Sequence, residues 1–294
     1  MNKKKWRVRG LAALFLGPAM LVLLLYSYLP TPYALYLSMT EPSTAGSQRF
    51  IGLENYVRLF QDGDFWESCW NTLVYTVLCT VTLVVLGVLV ALILTRKVRG
   101  TAFYISVMFV PWVVSDVVVG ATWRWLLNPD FGVLNYLFAW TGFRMSDLVA
   151  KPQYVMIGIV IVTVWKMLSY TTILLLAGLQ SIPTDCIEAA RIDGCDSWKV
   201  FWKIVFPNFF GTVLVVTLLI VINCINQSGM ILILTNGGPI RASETLALYL
   251  YKEAFRNYQL NSAASLSMVL AVINFVIAAV YMFVNKKNKE LIGV

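Results

Sequence analysis

The chain has 294 residues, 59% of them hydrophobic and only 13% charged, with a net charge of +8. Soluble domains carry about 25% charged residues, and no polar stretch here is long enough for one, so the composition excludes a soluble enzyme and describes an integral membrane protein. Histidine, the commonest metal ligand and neutral-pH base, is absent, and Cys69, Cys79, Cys186, Cys195 and Cys224 form no close pair or ligand spacing.

Six apolar segments, at about 11–30, 70–95, 101–125, 153–178, 208–230 and 263–285, are long enough to cross a bilayer, which takes about 20 helical residues. The first follows Lys3, Lys4, Lys5, Arg7 and Arg9. It reads as a retained anchor, because its apolar run exceeds a usual signal core and TAGS at 44–47 lies too far beyond it for cleavage. Pro18 inside it is tolerated in a membrane helix. Residues 31–69 contain ENYVRLFQDGDFW, which predicts a short amphipathic helix at headgroup level leading into the second span. Arg96, Lys97 and Arg99 separate the second and third spans. Connections 126–152 and 231–262 carry the turn signals NPDFG and TNGGP. Trp66, Trp70, Trp123, Trp125, Tyr154, Tyr249 and Tyr251 fall near predicted span ends and read as interfacial anchors.

Charge sets the orientation. The N-terminus, the 96–100 turn, residues 181–207 and the tail with Lys286, Lys287 and Lys289 hold 14 of the 23 basic residues and 5 of the 15 acidic ones. This bias predicts that all four lie in the cytoplasm, both termini included. Basic residues gathered at span junctions point to a lipid bilayer and not to nucleic acid. The expected fold is all-α, polytopic, multi-pass in the cell membrane.

The segment SIPTDCIEAARIDGCDSWKVFWKIVFP, Ser181–Pro207, interrupts the apolar pattern. Residues 184–192 predict one short helix: Pro183 suits its first turn, Asp185 and Glu188 favour its positive end, and Gly194 lies just past its end. Ala189 and Ala190 leave its surface bare for close approach by another backbone. A second short helix is expected from Asp196 or Ser197 toward Pro207, with Trp198, Phe201, Trp202 and Val205 on one face. Asp193 either caps that helix or contacts a partner. The product is a stiff bent pair, with Glu188 as the candidate docking contact.

Here the chain resembles a known family. Glu188-Ala189-Ala190, three residues, Gly194, nine residues, then Ile204, Phe206 and Pro207 match the hallmark of the permease subunits of binding-protein-dependent ABC importers, with Phe206 where leucine is usual. ENYVRLF, NTLVYT, PWVVSDVVVGATWRWLLNPDFGVLN, LAGLQSIP, LTNGGP and LYLYKEAF look like the carbohydrate-uptake branch, as its UgpA-like or MalF-like member of a heterodimeric pair. The resemblance implies a type I importer permease fold, residues 1–294 forming a single transmembrane permease domain with its core at about 70–285, and a coupling helix within 181–207. It also implies the partners: a second homologous permease subunit, two copies of a cytoplasmic ATPase subunit that use ATP and Mg2+, and an extracytoplasmic sugar-binding protein. The chain has no phosphate-binding GKS/T loop, so ATP hydrolysis and its cofactors are expected outside it.

Charged residues inside spans are costly in lipid and should face protein or a water-filled cavity. Asp116 in the third span and Lys166 in the fourth form a possible interhelical pair, with a cavity-facing Lys166 as the alternative; Arg124 lies close enough to the outer end to snorkel. Asn223, Asn226 and Gln227, at i, i+3 and i+4, are expected to share a face of the fifth span, suited either to sugar hydroxyls or to interhelical hydrogen bonds. Measured against the maltose-permease pattern, Gln227 falls where the family has a sugar-contacting asparagine, and Cys224 departs at a second such position. The functional expectation is a permease half of an ATP-driven importer of an oligosaccharide or related sugar. An ion-gradient-driven secondary transporter with Asp116 and Lys166 as coupling charges is the alternative, and a membrane-embedded enzyme lacks any convergent acid–base or metal set.

Overall fold

The computed structural model describes residues 2–42, 47–95 and 100–292. Arg96, Lys97 and Arg99, and residues 44–46 of the TAGS stretch, lie outside them. Five helices are long and apolar enough to cross a membrane: Leu14–Ser38, Gly63–Thr95, Pro152–Gln180, Ser197–Ile225 and Leu260–Lys287. The pair Phe103–Val113 and Asp116–Leu126, bent by 94°, makes a sixth when counted as one span. In chain order these are spans one to six, with the bent pair as span three.

Several boundaries differ from the sequence reading, each for a local reason. Span one runs on to Ser38, past the expected residue 30. A π turn at Leu24–Tyr28, closed by Leu29 N–H donating to Leu24 O at 2.9 Å, carries the helix past Pro30, which has no N–H to give. Span two begins at Gly63, not 70, with Asp64 in its first turn where a carboxylate meets the positive end of the helix. Phe65 and Trp66 therefore belong to that span, and the amphipathic helix is only Glu54–Gln61. Span three is broken where one continuous helix was expected. Pro111 disturbs the last turn of Thr101–Val113, Val114 is extended, and Ser115 caps a new helix by accepting from Val118 N–H at 3.4 Å.

The chain forms two compact units, Met1–Asp62 with Leu250–Ala271, and Gly63–Tyr249 with Val272–Val294. In the first, an antiparallel ribbon pairs Thr40–Pro42 with Gln48–Phe50, a small addition to an otherwise helical chain. Asn261 Nδ2 donates to Thr40 O at 2.8 Å and Leu37 O at 3.0 Å, and Asn55 Nδ2 donates to Ser38 O and Thr40 O, both at 2.9 Å. The Glu54–Gln61 helix buries Leu59 within the chain, and Tyr56 OH meets Ser38 Oγ at 2.7 Å, so this helix is fastened to protein. At the rim, Glu41 binds Arg58 at 2.9 Å and Arg49 at 3.0 Å, which holds its carboxyl below the ordinary carboxylate range.

The second unit is organised around span four. Val155, Ile159, Val162 and Leu175 are fully buried there. Lipid tails are as apolar as leucine, so such packing depends on close van der Waals fit and small residues. Gly87 of span two has Thr171 Cγ2 only 2.8 Å from where a Cβ would sit, and Gly178 of span four would overlap Thr212 of span five in the same way. Among the interfacial anchors expected from sequence, Tyr249 is instead buried, with the Arg241 guanidinium 5.2 Å from its ring, and Trp123 packs edge-on against Trp165.

Candidate functional site

Two helix breaks meet beside the middle of span four. The first is Val114–Ser115 in span three. The second follows Ile225, where the Asn226 side chain folds back to donate to Ile222 O at 2.7 Å and competes with continuation of the helix. A new helix, Gly229–Leu234, starts three residues on. It packs closely against Asp116–Leu126: a Cβ on Gly120 would lie 2.9 Å from both Met230 O and Ile233 Cβ. A Cβ on Gly229 would lie 3.5 Å from Asp116 Cβ. From span four, the Lys166 ammonium donates to Asp116 Oδ1. Lys166 is mostly buried and Asp116 partly exposed, so the pair is protein-facing on one side and accessible on the other. Trp112 and Tyr170 stack beside it, 5.2 Å between centroids and 2° from parallel.

The amide set does not form the face expected of it. Asn223 is exposed near the end of span five, but the helix stops at Ile225, so Asn226 and Gln227 do not continue its stripe. Asn226 Nδ2 also donates to Asn274 Oδ1 of span six at 3.2 Å, and Gln227 O accepts from Thr245 Oγ1 at 3.3 Å. Cys224 is fully buried. Arg124 Nη1 donates to Ile233 O at 3.4 Å, an inward contact across the half-helices.

The Ser181–Pro207 segment folds as a helix, Thr184–Ile192, a bend, and a second helix. Gly194 makes the bend at φ +82°, a conformation that costs other residues a steric clash. Glu188 and Ala189 are exposed; Ala190 is buried against its own chain, so only one of the two alanines is presented outward. Asp193 sits at the C-terminal end of the first helix, and the cap of the second is Asp196, which accepts from Lys199 N–H at 2.8 Å. That second helix does not stop at Pro207. It passes through a π turn at Phe201–Val205, which contains Ile204, and becomes span five, with Pro207 in the first turn of Phe206–Ile225 where its missing N–H costs nothing.

Sequence reasoning missed a third cluster. Arg241, at φ +61°, binds Asp64 Oδ2 at 2.7 Å and the buried Glu244 at 2.8 Å, while Asn71 Nδ2 donates to Arg241 O at 3.0 Å and Glu244 O at 3.2 Å. Together they pin the TNGGP turn to the start of span two. Partners some 170 positions apart leave no local sequence signal.

Residues 64–290 match the family model described as "Binding-protein-dependent transport system inner membrane component". The chain belongs to this family. It is the membrane-embedded permease component of an ABC-type importer, a role distinct from that of the ATP-hydrolysing subunit. Among curated relatives, it is 34% identical over 280 residues to the sn-glycerol-3-phosphate transport system permease protein UgpA of Agrobacterium fabrum, covering 93% of this chain and 94% of that one. It is 30% identical over 291 residues to the trehalose/maltose transport system permease protein MalF of Thermococcus litoralis, covering 98% of each. In fold it is similar to a chain of a bacterial alginate ABC transporter, crystallised with an alginate pentasaccharide-bound periplasmic protein, at TM-score 0.83 and 21% identity over 98% of this chain and 97% of that one.

Proposed function

We propose that this permease is the UgpA-like or MalF-like half of a heterodimer that imports an oligosaccharide or related sugar, delivered by an extracytoplasmic binding protein and driven by two copies of a cytoplasmic ATPase subunit. Residues 1–294 would work as one permease domain with both termini and the 181–207 segment in the cytoplasm. The observation that carries the reading is the end-to-end similarity to permeases named for sugar and glycerol-phosphate transport. The bend at Gly194 supports it. The exposed Glu188–Ala189 surface stands on a short helix joined through Gly194 to an unbroken helix that reaches the Asn226 break. ATP-driven movement of the docked helix would thus be delivered next to the Asp116–Lys166 pair, in keeping with alternating access around discontinuous helices. Lys166, Asp116 and the break residues Asn223, Asn226 and Gln227 are the proposed lining of the substrate path, their amide and charged groups suited to sugar hydroxyls.

The test is copurification of the assembled transporter with its binding protein, followed by ATPase assays across candidate sugars and glycerol phosphate. One cargo should raise hydrolysis several-fold, and E188A should abolish that rise while leaving membrane insertion intact. Hydrolysis indifferent to every sugar, or uptake that survives ATP depletion and collapses with an uncoupler, would overturn the reading.

A further inference from the structure

Three spans reach one place. Thr95 of span two, Gln180 at the end of span four and Ser197 at the start of span five line a single cavity of about 700 Å³ whose remaining wall is the Thr184–Ile192 helix. At 29–33 residues these helices are longer than the roughly 20 residues that cross hydrocarbon, so on the side of the 181–207 segment their ends reach the headgroup layer, where a lipid phosphate is within range of the cavity.

Its lining is amphipathic in one direction. Leu92, Leu179, Val200 and Val205 form the apolar wall on the spans, while Thr95, Gln180, Thr184 and Ser197 supply hydroxyl and amide groups. Among the described residues of the lining, Arg191 is the one ionised side chain, no carboxylate accompanies it, and its guanidinium has no ion pair or hydrogen bond. Thr184, Ile187 and Arg191 recur at helical spacing on the cavity side, a stripe that excludes Glu188 and Ala189. Just beyond, Trp198, Trp202, Phe206 and Phe210 form a ladder of rings with successive centroids 5.7, 5.0 and 5.8 Å apart, beside the exposed Lys199 and Lys203. Tryptophan with lysine is the composition of a helix segment at an anionic headgroup layer.

We propose that this cavity seats one anionic phospholipid, its phosphate on Arg191 and the upper part of an acyl chain along Leu92, Leu179 and Val205. A free phosphate would leave the apolar wall without a partner, whereas a phospholipid matches both walls. The seated lipid fills the space between the Thr184–Ile192 helix and the ends of spans two and four, so membrane composition sets how firmly that helix is braced. The inference does not depend on the cargo or on the identity of the partner subunits.

Native mass spectrometry of the full chain, released from detergent with dioleoylphosphatidylglycerol or dioleoylphosphatidylcholine added, tests it. One phosphatidylglycerol should be retained in preference to phosphatidylcholine. R191Q should weaken its retention about tenfold, R191K should preserve the preference, and T95W, which adds bulk at the rim without touching the core, should reduce retention of the lipid. Millimolar glycerol phosphate should fail to displace it. Equal retention of both lipids with R191Q unchanged overturns the proposal. Displacement of the lipid by glycerol phosphate also overturns it, in favour of a free-phosphate site.

Discussion

At Gly194 an added methyl group would meet nothing within 4 Å, whereas at Gly158 it would overlap the carbonyl oxygen of Leu148. Both glycines are indispensable to the local backbone, for opposite reasons. Gly194 is needed for its φ of +82°, in a bend otherwise surrounded by space. Gly158, Gly120 and Gly178 are needed because another segment occupies the room a side chain would take. The contrast separates the two regions of the second unit on which the proposed function rests. The 181–207 bend is defined by backbone geometry and leaves its surface free for a partner. The packed spans are defined by contact, at both ends of span four as well as at the breaks, where Lys166 binds Asp116 and Asn226 binds Asn274.

The largest expected effect strikes the contact-defined region. G158V should cost about 3 kcal/mol or more, since no rotamer relieves overlap with a backbone carbonyl, and folded yield in detergent by size exclusion should collapse. Recovery of normal yield would erase the distinction between the two regions. Next, D116N and K166M should each destabilise by about 1–3 kcal/mol, and a double-mutant cycle on thermal unfolding should show positive coupling between them. Additive effects would mean that the pair is geometric only. G194A should cost about 1–2 kcal/mol from the left-handed backbone while yield stays normal. Its stronger signature should be loss of sugar-stimulated ATP hydrolysis in the assembled transporter, and unaltered coupling would show that the bend need not be rigid.

The smallest effect belongs to the first unit. Glu41 is held below its ordinary value of 4.5 chiefly by the Arg58 side chain and then by Arg49. A lowered carboxyl pKa in the fold favours the charged form, so its contribution to stability is fully present above about pH 4.5 and is lost as pH falls through the lower folded value. Hydrogen exchange around residues 40–58 should quicken only on acidification into that range, and E41Q should remove the dependence. The group is exposed, so global stability should move little.

Much of this was legible in the chain. Apolar length located all six spans, most ends to within a few residues, but span one runs on about two turns past its expected end, span two starts about two turns early and span five about three. Pro183, Asp185 and Gly194 announced the bent pair, because capping and left-handed turns leave marks within a few positions. Three features were harder to read. The break in span three is signalled only by Pro111 and by Ser115–Asp116, interruptions that a membrane helix can absorb. The end of span five at Ile225 depends on an asparagine turning back on Ile222, and a helical-wheel count carries straight through it. The Arg241 clasp depends on Asp64 and Asn71, far away in sequence. Asp116 and Lys166 were visible as charges in apolar runs, and only packing brings them together.

The π turn at Phe201–Val205 has a mechanical consequence. From Asp196 to Asn226 there is no flexible joint, so about 29 residues form one rod roughly 43 Å long. The wide turn takes up one residue more than an α turn would, so that residue is absorbed locally. Deleting one residue at the turn would restore a plain α turn with the far end of the rod still in phase, whereas deleting one anywhere else along span five would rotate that end by about 100°; the root of the shaft is thus the place where its length in residues can change without changing which face it presents.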